Sequence, residues 1–320
     1  MARKIAVMVP NLTETHRRKI LESAEKNGCE VRFLAKRHED PAYVNESEII
    51  FGHRPQIAKT AAGLKWLCTP FAGVDQFLAE DSFANPDVVL TNSSGAYGVT
   101  ISEHIIMLLL AILRRDPEYQ GIVQRKEWKR DLPIRSIHGS RITLLGTGDI
   151  GAETAKRLKA FQPRSITGVN RSGKTSGSLF DRIVTKENLD AVLPETDILI
   201  ISLPGTPESY HMLGKDQLGL LPDGAVLINV GRGSVIDQRA LTEELESGRL
   251  FAGLDVFEQE PIPQDDLLWT QRNLVLTPHT AGNMTLPHTM DRVVEMFLED
   301  LDNYCAGKPL SHIVNRDRGY

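Results

Sequence analysis

The sequence has few cysteines, and none of them lies in a pattern that builds a site. Cys29, Cys68 and Cys305 are the three cysteines among 320 residues. Because no two of them form a C-x-x-C pair, the spacing predicts neither a disulfide framework nor a zinc cluster, and a reducing compartment fits best. The histidines also lack metal-ligand spacing, so we predict no metal site.

Long apolar runs and an excess of basic charge are also missing. The formal charge is −5, whereas nucleic-acid-binding domains usually carry a basic footprint, so we expect no nucleic-acid partner. The longest apolar run, residues 105–113, is about half as long as a bilayer span. The apolar part of residues 1–10 is too short for a signal peptide. We therefore predict a soluble, cytoplasmic protein that has no membrane partner.

Short apolar runs alternate with helical patterns along most of the chain, which is typical of parallel βαβ units. Because 320 residues exceed what one compact core usually holds, we expect two α/β domains. The predicted strands are Lys4–Val9, Glu30–Phe33, Glu48–Phe51, Lys65–Cys68, Val88–Leu90, Arg141–Leu145, Ser165–Val169, Asp197–Leu203, Ala225–Val230, Leu250–Leu254 and Asn273–Leu276.

Three helices have clear signals at their ends or along their faces. Thr13 is a candidate N-cap for a helix over 13–27, and Pro287–Ala306 is amphipathic. Thr100-Ile-Ser-Glu103 has the capping-box pattern and is expected to open the long apolar helix. A helix this apolar would be buried on all sides, either in the core or at a subunit interface.

A glycine-rich turn follows one predicted strand directly. Gly146-Thr-Gly148-Asp-Ile-Gly151 comes after Ile142–Leu145 and opens a helix. In this context the first glycine permits a tight turn, the second lets a pyrophosphate approach, and the third allows close helix–strand packing. The placement within a βαβ unit makes the motif a specific indication of a dinucleotide site.

The segment after the next strand indicates which dinucleotide is preferred. An NAD site expects an acidic residue about 20 residues on, to bind the ribose 2′-hydroxyl. Here the strand is followed by Asn170-Arg171-Ser172-Gly173-Lys174, which has no carboxylate and two cations. These residues could bind the 2′-phosphate of NADP(H), or they could form an ordinary solvated loop that happens to be basic. We predict a preference for NADP(H), with NAD(H) also possible.

The same stretch formally matches the phosphate-loop pattern of ATPases and kinases. Gly168 to Thr175 reads G-x-x-x-x-G-K-T. In a true phosphate loop the first glycine follows a strand, whereas Gly168 lies within a predicted strand. The match is therefore interpreted as accidental.

Three later segments place reactive side chains after successive strands. Arg232 follows Ala225–Val230, Asp255 and Glu260 follow Leu250–Leu254, and His279 follows Asn273–Leu276. Ligands of open α/β sheets bind at the carboxyl ends of strands. Taken singly, these residues could be an ion-pair arginine, a turn glutamate and a capping histidine. Their order after a glycine-rich turn favours a catalytic role.

With these motifs, the sequence resembles the D-isomer-specific 2-hydroxyacid dehydrogenases over nearly its whole length. Thr69-Pro-Phe-Ala-Gly-Val-Asp75 and Thr91-Asn-Ser-Ser-Gly-Ala-Tyr-Gly98 carry the resemblance, together with the glycine turn and the three later segments. The family implies two doubly wound domains, with a Rossmann domain inserted into a flavodoxin-like substrate domain. We therefore expect a substrate domain over 1–99 and 286–320 and a dinucleotide-binding domain over 100–285.

The resemblance also implies a role for each residue. Arg232 would hold the substrate carboxylate through a planar, permanently charged fork and polarise the 2-keto oxygen. His279 would exchange a proton with that oxygen, and Glu260 would orient the ring and favour the imidazolium. Backbone amides of Ala72, Gly73 and Val74 would reach the carboxylate from the other lobe on closure. The predicted cofactor residues are Gly146, Gly148, Asp149, Ile150, Gly151, Asn170, Arg171, Ser172, Lys174, Leu203, Pro204, Val230, Asp255 and Gly282.

Substrate and assembly are less sharply defined by the sequence. Residues 314–320 and the Arg171-Ser172 pair look similar to short glyoxylate/hydroxypyruvate reductases, and a short phosphoglycerate dehydrogenase is the alternative. A different class, the corepressor scaffolds of this family, could keep the same three residues. The apolar helix over 100–114 is expected to contribute to a homodimer interface. His104 on that helix is expected to make a structural contact.

Overall fold

The structure is a computed structural model that describes residues 2–34, 40–174 and 177–320. Thr175, the last residue of the phosphate-loop match, lies outside the described residues. The chain divides into two compact units. The first comprises Met1–Tyr97 and Met284–Tyr320, and the second, Gly98–Asn283, is inserted between these two segments of the chain.

The first unit is built on a parallel sheet whose strands are short and apolar. The strands are β1 (Arg3–Val7), β2 (Cys29–Phe33), β3 (Ile49–Phe51), β4 (Trp66–Cys68) and β5 (Val89–Thr91). Within the described residues their order is β2-β1-β3-β4-β5, which is the flavodoxin-like order. The helices are α1 (Glu14–Lys26), α2 (Pro41–Glu46), α3 (Pro55–Ala58) and α10 (Pro287–Cys305).

Helices from the two ends of the chain pack together in this unit. The predicted N-cap is confirmed: Thr13 accepts a hydrogen bond from the His16 amide, and His16 completes a capping box. Helix α10 packs against α1, and Phe297 of α10 stacks on Phe51 of β3 with ring centroids 4.2 Å apart. The C-terminal helix therefore belongs to the core of the N-terminal sheet.

The second unit contains a larger parallel sheet. Its strands are β6 (Arg141–Leu145), β7 (Ser165–Val169), β8 (Arg182–Val184), β9 (Ile198–Ile201), β10 (Val226–Asn229), β11 (Phe251–Leu254) and β12 (Leu274–Leu276). Among the described residues the order is β12-β11-β10-β9-β6-β7-β8. This is a Rossmann arrangement with one further strand, in which the strand order reverses between β6 and β9. The predicted fold class is confirmed.

Burial on both faces explains why the central strands read as continuous apolar runs. Every residue of β9 and β10 is buried, as expected of a parallel sheet with helices on both sides. Those helices are α4 (Gly98–Leu113), α5 (Asp116–Gln124), α6 (Asp149–Leu158), α7 (Leu189–Val192), α8 (Lys215–Leu220) and α9 (Gln238–Glu246). Strand β8 and helix α5 were not among the predicted elements, because both are short and β8 is an edge strand.

The start of the long apolar helix differs from the prediction. Helix α4 begins at Gly98, so Thr100 lies inside its first turn, and the expected capping box at Thr100–Glu103 is wrong. Gly98 leaves room for α6: a Cβ atom there would lie 2.6 Å from the side-chain carboxylate of Asp149, so glycine lets α4 start without displacing that side chain.

Helix α4 is also not buried on all sides within one chain. Ile105, Leu108 and Leu109 are fully buried, but Met107 is 47% exposed. The helix therefore packs with one face on the sheet and leaves the opposite face open to solvent. None of the helices in the described ranges is long and apolar enough to cross a membrane.

Candidate active site

The three glycines of the fingerprint turn have different steric roles. Gly146 follows β6 with φ of +101°, in the left-handed region that favours glycine. A Cβ at Gly151 would lie 2.1 Å from the Gly146 carbonyl oxygen, so the third glycine is required for packing of α6 on β6. A Cβ at Gly148 would meet no protein atom within 4 Å. The middle glycine is therefore not needed for folding, and it leaves open space at the start of α6.

This open space lies where an anion would be favoured. Gly148 is the N-cap of α6 and, as a glycine, has no side chain with which to cap the helix. A helix N-terminus with free amides and a partial positive charge attracts phosphate. Asp149 and Ile150 follow in the first turn and are half-buried. The geometry fits a dinucleotide pyrophosphate.

The loop after β7 is organised by Asn170. Its side-chain amide donates to Thr147 Oγ1 (2.7 Å) and to the Lys174 carbonyl (2.8 Å). Its Oδ1 accepts from the amides of Ser172 (3.1 Å) and Gly173 (2.8 Å). The loop is thus held against the glycine turn, while Arg171, Ser172 and Lys174 are exposed.

Arg171 pairs with a carboxylate from another loop. Its Nη2 lies 3.7 Å from Oε2 of Glu208, and both side chains are more than half exposed. A pair this open is worth little energetically. The contact with Glu208 therefore contributes little to holding the guanidinium in place.

The ends of β9 and β10 meet beside the glycine turn. A Cβ at Gly231 would lie 2.5 Å from the Leu203 carbonyl oxygen, so the segment after β10 touches the segment after β9. Leu203 and Pro204 are half-buried and Val230 is buried. These predicted cofactor residues line the carboxyl edge of the sheet near the reversal of strand order, where α/β folds bind ligands.

Arg232 is held half-buried by its own loop. Asn229 accepts from the Gly231 amide (3.0 Å) and donates to the Arg232 carbonyl (2.9 Å), while Nη1 of Arg232 donates to the Gly231 carbonyl (2.9 Å). A Cβ at Gly233 would lie 1.9 Å from the Phe257 carbonyl carbon. The arginine loop is therefore pressed against the loop that leads to Glu260.

Asp255 is a buried anchor that is 1% exposed. Its Oδ1 accepts from Thr277 Oγ1 (2.6 Å) and the Thr280 amide (2.8 Å), and its Oδ2 accepts from the Ala281 amide (3.0 Å). The His279 amide donates to the Asp255 carbonyl (2.9 Å). These contacts of Asp255 therefore fix the loop that carries His279, whose φ is +52°.

Glu260 and His279 form the predicted pair. Oε1 of Glu260 accepts from the Phe257 amide (2.9 Å), and Oε2 lies 2.7 Å from Nδ1 of His279. Because a carboxylate only accepts, Nδ1 carries the proton and Nε2 is the ring nitrogen available for proton exchange. The His279 side chain is half exposed, so a small molecule can reach Nε2.

His104 makes the expected structural contact. Its Nε2 lies 2.9 Å from Thr277 Oγ1 and 3.6 Å from Oδ1 of Asp255. Burial lowers the pKa of His104, and the nearby Asp255 opposes that shift. The histidine therefore supports Thr277, which in turn donates to Asp255.

Sequence reasoning missed a second set of contacts, behind the loops that carry Arg232 and Glu260. The His211 ring contacts the Glu258 carboxylate, and the His211 amide donates to the Ser234 carbonyl (2.8 Å). Glu258 also exchanges hydrogen bonds with Gln238 (3.2 and 3.4 Å). These contacts join the loop of Arg232 to the loop of Glu260. In the sequence, only the position of Glu258, two residues before Glu260, could have suggested that it belongs to this loop.

The remaining predicted site residues lie apart from this cluster in the sequence. Ala72, Gly73 and Val74 belong to the first unit, where the Ala72 carbonyl accepts from Asn92 Nδ2 (2.8 Å) and Val74 is buried. Gly282 follows the loop of His279. Among the described residues, no group of three acidic, cysteine or histidine side chains is arranged to hold a metal ion.

The comparisons with known proteins agree on one family. The profile for the D-isomer specific 2-hydroxyacid dehydrogenase, NAD binding domain, matches residues 106–281. A glyoxylate reductase from Korarchaeum cryptofilum is 35% identical over 240 residues, which cover 72% of this chain and 70% of that protein.

Solved structures agree with the sequence relatives. A D-isomer specific 2-hydroxyacid dehydrogenase family protein from Aeromonas salmonicida superposes with a TM-score of 0.87 at 29% identity, covering 99% of this chain and all of that chain. An NADPH-dependent glyoxylate/hydroxypyruvate reductase from Sinorhizobium meliloti, in complex with NADP and sulfate, superposes with a TM-score of 0.81 at 26% identity. The match covers 99% of this chain and 100% of that chain. The chain therefore belongs to the D-isomer specific 2-hydroxyacid dehydrogenase family, as an oxidoreductase that carries the family's NAD-binding domain.

Proposed function

We propose that this protein reduces small 2-keto acids such as glyoxylate or hydroxypyruvate to the D-2-hydroxy acids, and prefers NADPH. The observation that carries the proposal is the pair of Glu260 with Nδ1 of His279 at 2.7 Å. That contact leaves Nε2 as the nitrogen that can give a proton to a carbonyl oxygen. The nicotinamide, when bound, supplies the hydride.

His279 and Glu260 act as one unit in this proposal. Nε2 of His279 donates a proton to the 2-oxygen during reduction and takes it back during oxidation. Glu260 holds the ring in one tautomer and stabilises the imidazolium through Nδ1. Because the Phe257 amide fixes the other oxygen of Glu260 at 2.9 Å, the carboxylate is preorganised for this role.

Arg232 binds the substrate carboxylate and polarises the 2-keto oxygen. Its planar fork suits a carboxylate, and its charge does not depend on pH in the working range. The proposal predicts that Arg232→Ala raises KM for the keto acid and lowers kcat. Arg239→Ala is the matched control, since it removes the same charge from an arginine whose side chain is 89% exposed.

The second unit holds the dinucleotide in this account. Gly146, Gly148 and Gly151 leave room for the pyrophosphate at the start of α6, and Leu203, Pro204 and Val230 border the same edge of the sheet. The first unit then contributes the substrate domain, with Ala72, Gly73 and Val74 as the predicted contacts to the substrate carboxylate.

Preference for NADP(H) is supported by the loop after β7. Residues 170–174 carry no carboxylate, and the exposed Arg171, Ser172 and Lys174 can bind a 2′-phosphate. The Sinorhizobium meliloti relative is NADPH-dependent and binds NADP. We expect Arg171→Ala to lower kcat/KM for NADPH about tenfold and to leave NADH nearly unchanged, whereas Arg239→Ala leaves both unchanged. Equal loss with the two cofactors would contradict the preference.

A turnover panel tests the function directly. Glyoxylate, hydroxypyruvate, pyruvate, longer 2-keto acids and 3-phosphohydroxypyruvate are each assayed with NADPH and with NADH. The proposal predicts the highest kcat/KM for glyoxylate or hydroxypyruvate with NADPH. A phosphorylated acid as the best substrate would indicate a short phosphoglycerate dehydrogenase. Cofactor binding without turnover of any acid would indicate a scaffold.

We also propose that the protein is a homodimer. In the single chain, Trp128 is 93% exposed, and Val123, Ile134 and Met107 are each about half exposed or more. All four lie on helix α4, on α5 or in the segment that follows, and large exposed apolar patches mark interaction sites. Light scattering should give twice the mass of 35.6 kDa. A mass of one chain would contradict the dimer.

A further inference from the structure

Two cysteines that are far apart in the sequence lie in contact. Cys29 is the first residue of β2 and Cys305 is the last residue of α10, 276 positions later. Their Sγ atoms are 3.7 Å apart, and both side chains are half-buried. Neither residue belongs to the candidate site.

We propose that Cys29 and Cys305 form a reversible disulfide when the protein is exposed to a peroxide or to a low-molecular-weight disulfide. With a peroxide, one thiol is oxidised to a sulfenic acid with release of water. The second sulfur then attacks it, the S–S bond forms, and another water leaves. The two thiols lose two electrons and two protons in total, and the peroxide takes up both. With a low-molecular-weight disulfide, one thiolate attacks it to form a mixed disulfide and releases one small thiol; the second cysteine sulfur then displaces the other small thiol, so the oxidant takes up the two electrons and two protons.

The surrounding contacts keep the two sulfurs adjacent. Asp302 of α10 accepts from Lys26 (2.8 Å) and Asn27 (2.6 Å) at the end of α1. Tyr304 donates to Glu48 (3.0 Å) before β3. These contacts hold the end of α10 against α1 and the segment before β3. Bond formation requires the two Sγ atoms to approach from 3.7 Å to the ~2.05 Å of a disulfide.

The protonation state of Cys29 affects how readily this thiol reacts. Burial, together with the hydrogen bond to Cys305, raises the pKa of Cys29 to about 12, while nearby Arg3 lowers it and Glu48 raises it. Because the thiolate is the reactive form, attack by Cys29 is slow near pH 7 and accelerates as the pH rises.

The disulfide would join the two segments of the first unit. Cys29 lies in the N-terminal segment and Cys305 in the C-terminal segment, so the bond closes a loop that contains the whole inserted unit. Closing a long loop stabilises the folded state. Cys29 is at the amino end of β2, whereas Ala72, Gly73 and Val74 follow the carboxyl end of β4 in the same parallel sheet. We therefore expect higher stability with unchanged turnover.

The test is oxidation of the full-length protein with hydrogen peroxide or oxidised glutathione, at about pH 7 and about pH 9. We expect intact mass to fall by two hydrogen atoms, and non-reducing peptide mapping to join Cys29 to Cys305. The rate should rise at least several-fold at the higher pH. Thermal unfolding should shift upward by several degrees, and dithiothreitol should reverse both changes.

Three variants separate this inference from other cysteine chemistry. Cys29→Ser and Cys305→Ser should each abolish the mass loss, whereas Cys68→Ser should retain it because Cys68 is buried in β4. Addition of oxygen atoms or glutathione without loss of hydrogen, or a bond between two chains, would overturn the proposal. So would the absence of any reaction at the higher pH.

Discussion

Replacement of Asp255 by asparagine perturbs the site at its most buried charge. The carboxylate receives two backbone amides on different oxygens, Thr280 on Oδ1 and Ala281 on Oδ2, and the Thr277 hydroxyl as well. An asparagine side chain has one oxygen, so in either orientation its NH₂ group faces one donor. That contact changes from a hydrogen bond to a repulsion inside the protein.

The cost follows from the hydrogen bonds that are lost. A hydrogen bond to a charged acceptor contributes about 1.5–3 kcal/mol, and a buried amide without an acceptor costs about 1–3 kcal/mol. The expected loss is therefore about 3 kcal/mol or more in the free energy of unfolding. For a unit of this size, each kcal/mol lowers Tm by about 2–4 °C, which gives a fall of roughly 10 °C.

The same change should slow the reaction, because the Thr280 and Ala281 amides set the course of the chain just after His279. A displacement of about 1 Å in a catalytic group can cost on the order of 100-fold in rate, so we expect kcat to fall at least tenfold. Calorimetry and steady-state turnover of Asp255→Asn are compared with Asp265→Asn, an exposed aspartate on the neighbouring loop. Unfolding within about 2 °C of the wild type, with kcat within twofold, would refute the reasoning.

Three further predictions concern residues outside the proposed catalytic pair of Glu260 and His279. Gly148→Ala should fold like the wild type and bind NADPH at least tenfold more weakly. Gly151→Ala should instead lower Tm by several degrees, because its Cβ would meet the Gly146 carbonyl oxygen at 2.1 Å. Equal thermal stability of the two variants would contradict the assigned roles. His211→Ala should lower kcat several-fold and leave KM for NADPH unchanged, with partial recovery in His211→Gln, because the contact with Glu258 joins the loops of Arg232 and Glu260. An unchanged kcat would exclude this support. Trp128→Glu should convert the proposed dimer to a monomer in light scattering, and a retained dimer would place the interface elsewhere.

The strands of the second unit were largely predictable from the sequence, because most of them are buried apolar runs whose ends are marked by polar residues or glycine. Ser165–Val169 and Arg141–Leu145 agree with the structure to the residue. Arg182–Val184 was not predicted, since three residues at a sheet edge leave no apolar period to recognise. The predicted start of α4 was wrong because Thr100 has the chemistry of an N-cap. Gly98, where the helix begins, has no side chain that could mark the start, and the room it leaves for Asp149 cannot be read from the sequence.

The candidate site was predictable to the level of residue types and their order. Glu260 and His279 are 19 residues apart and are brought to 2.7 Å because their strands, β11 and β12, are adjacent and parallel. The sequence could not reveal the Asp255 network or the contact of His211 with Glu258. Those contacts depend on side-chain directions and on loop conformations, which the hydrophobic periodicity of the sequence does not predict.

The most direct test of the account is the effect of His279→Ala on turnover and on cofactor binding, measured side by side. General acid–base catalysis contributes about 10²- to 10⁴-fold, so kcat for the best keto acid should fall by that factor. The NADPH dissociation constant should stay within about threefold of the wild type, since the glycine turn is untouched. Turnover near the wild-type rate would contradict the role of His279 and with it the proposed mechanism.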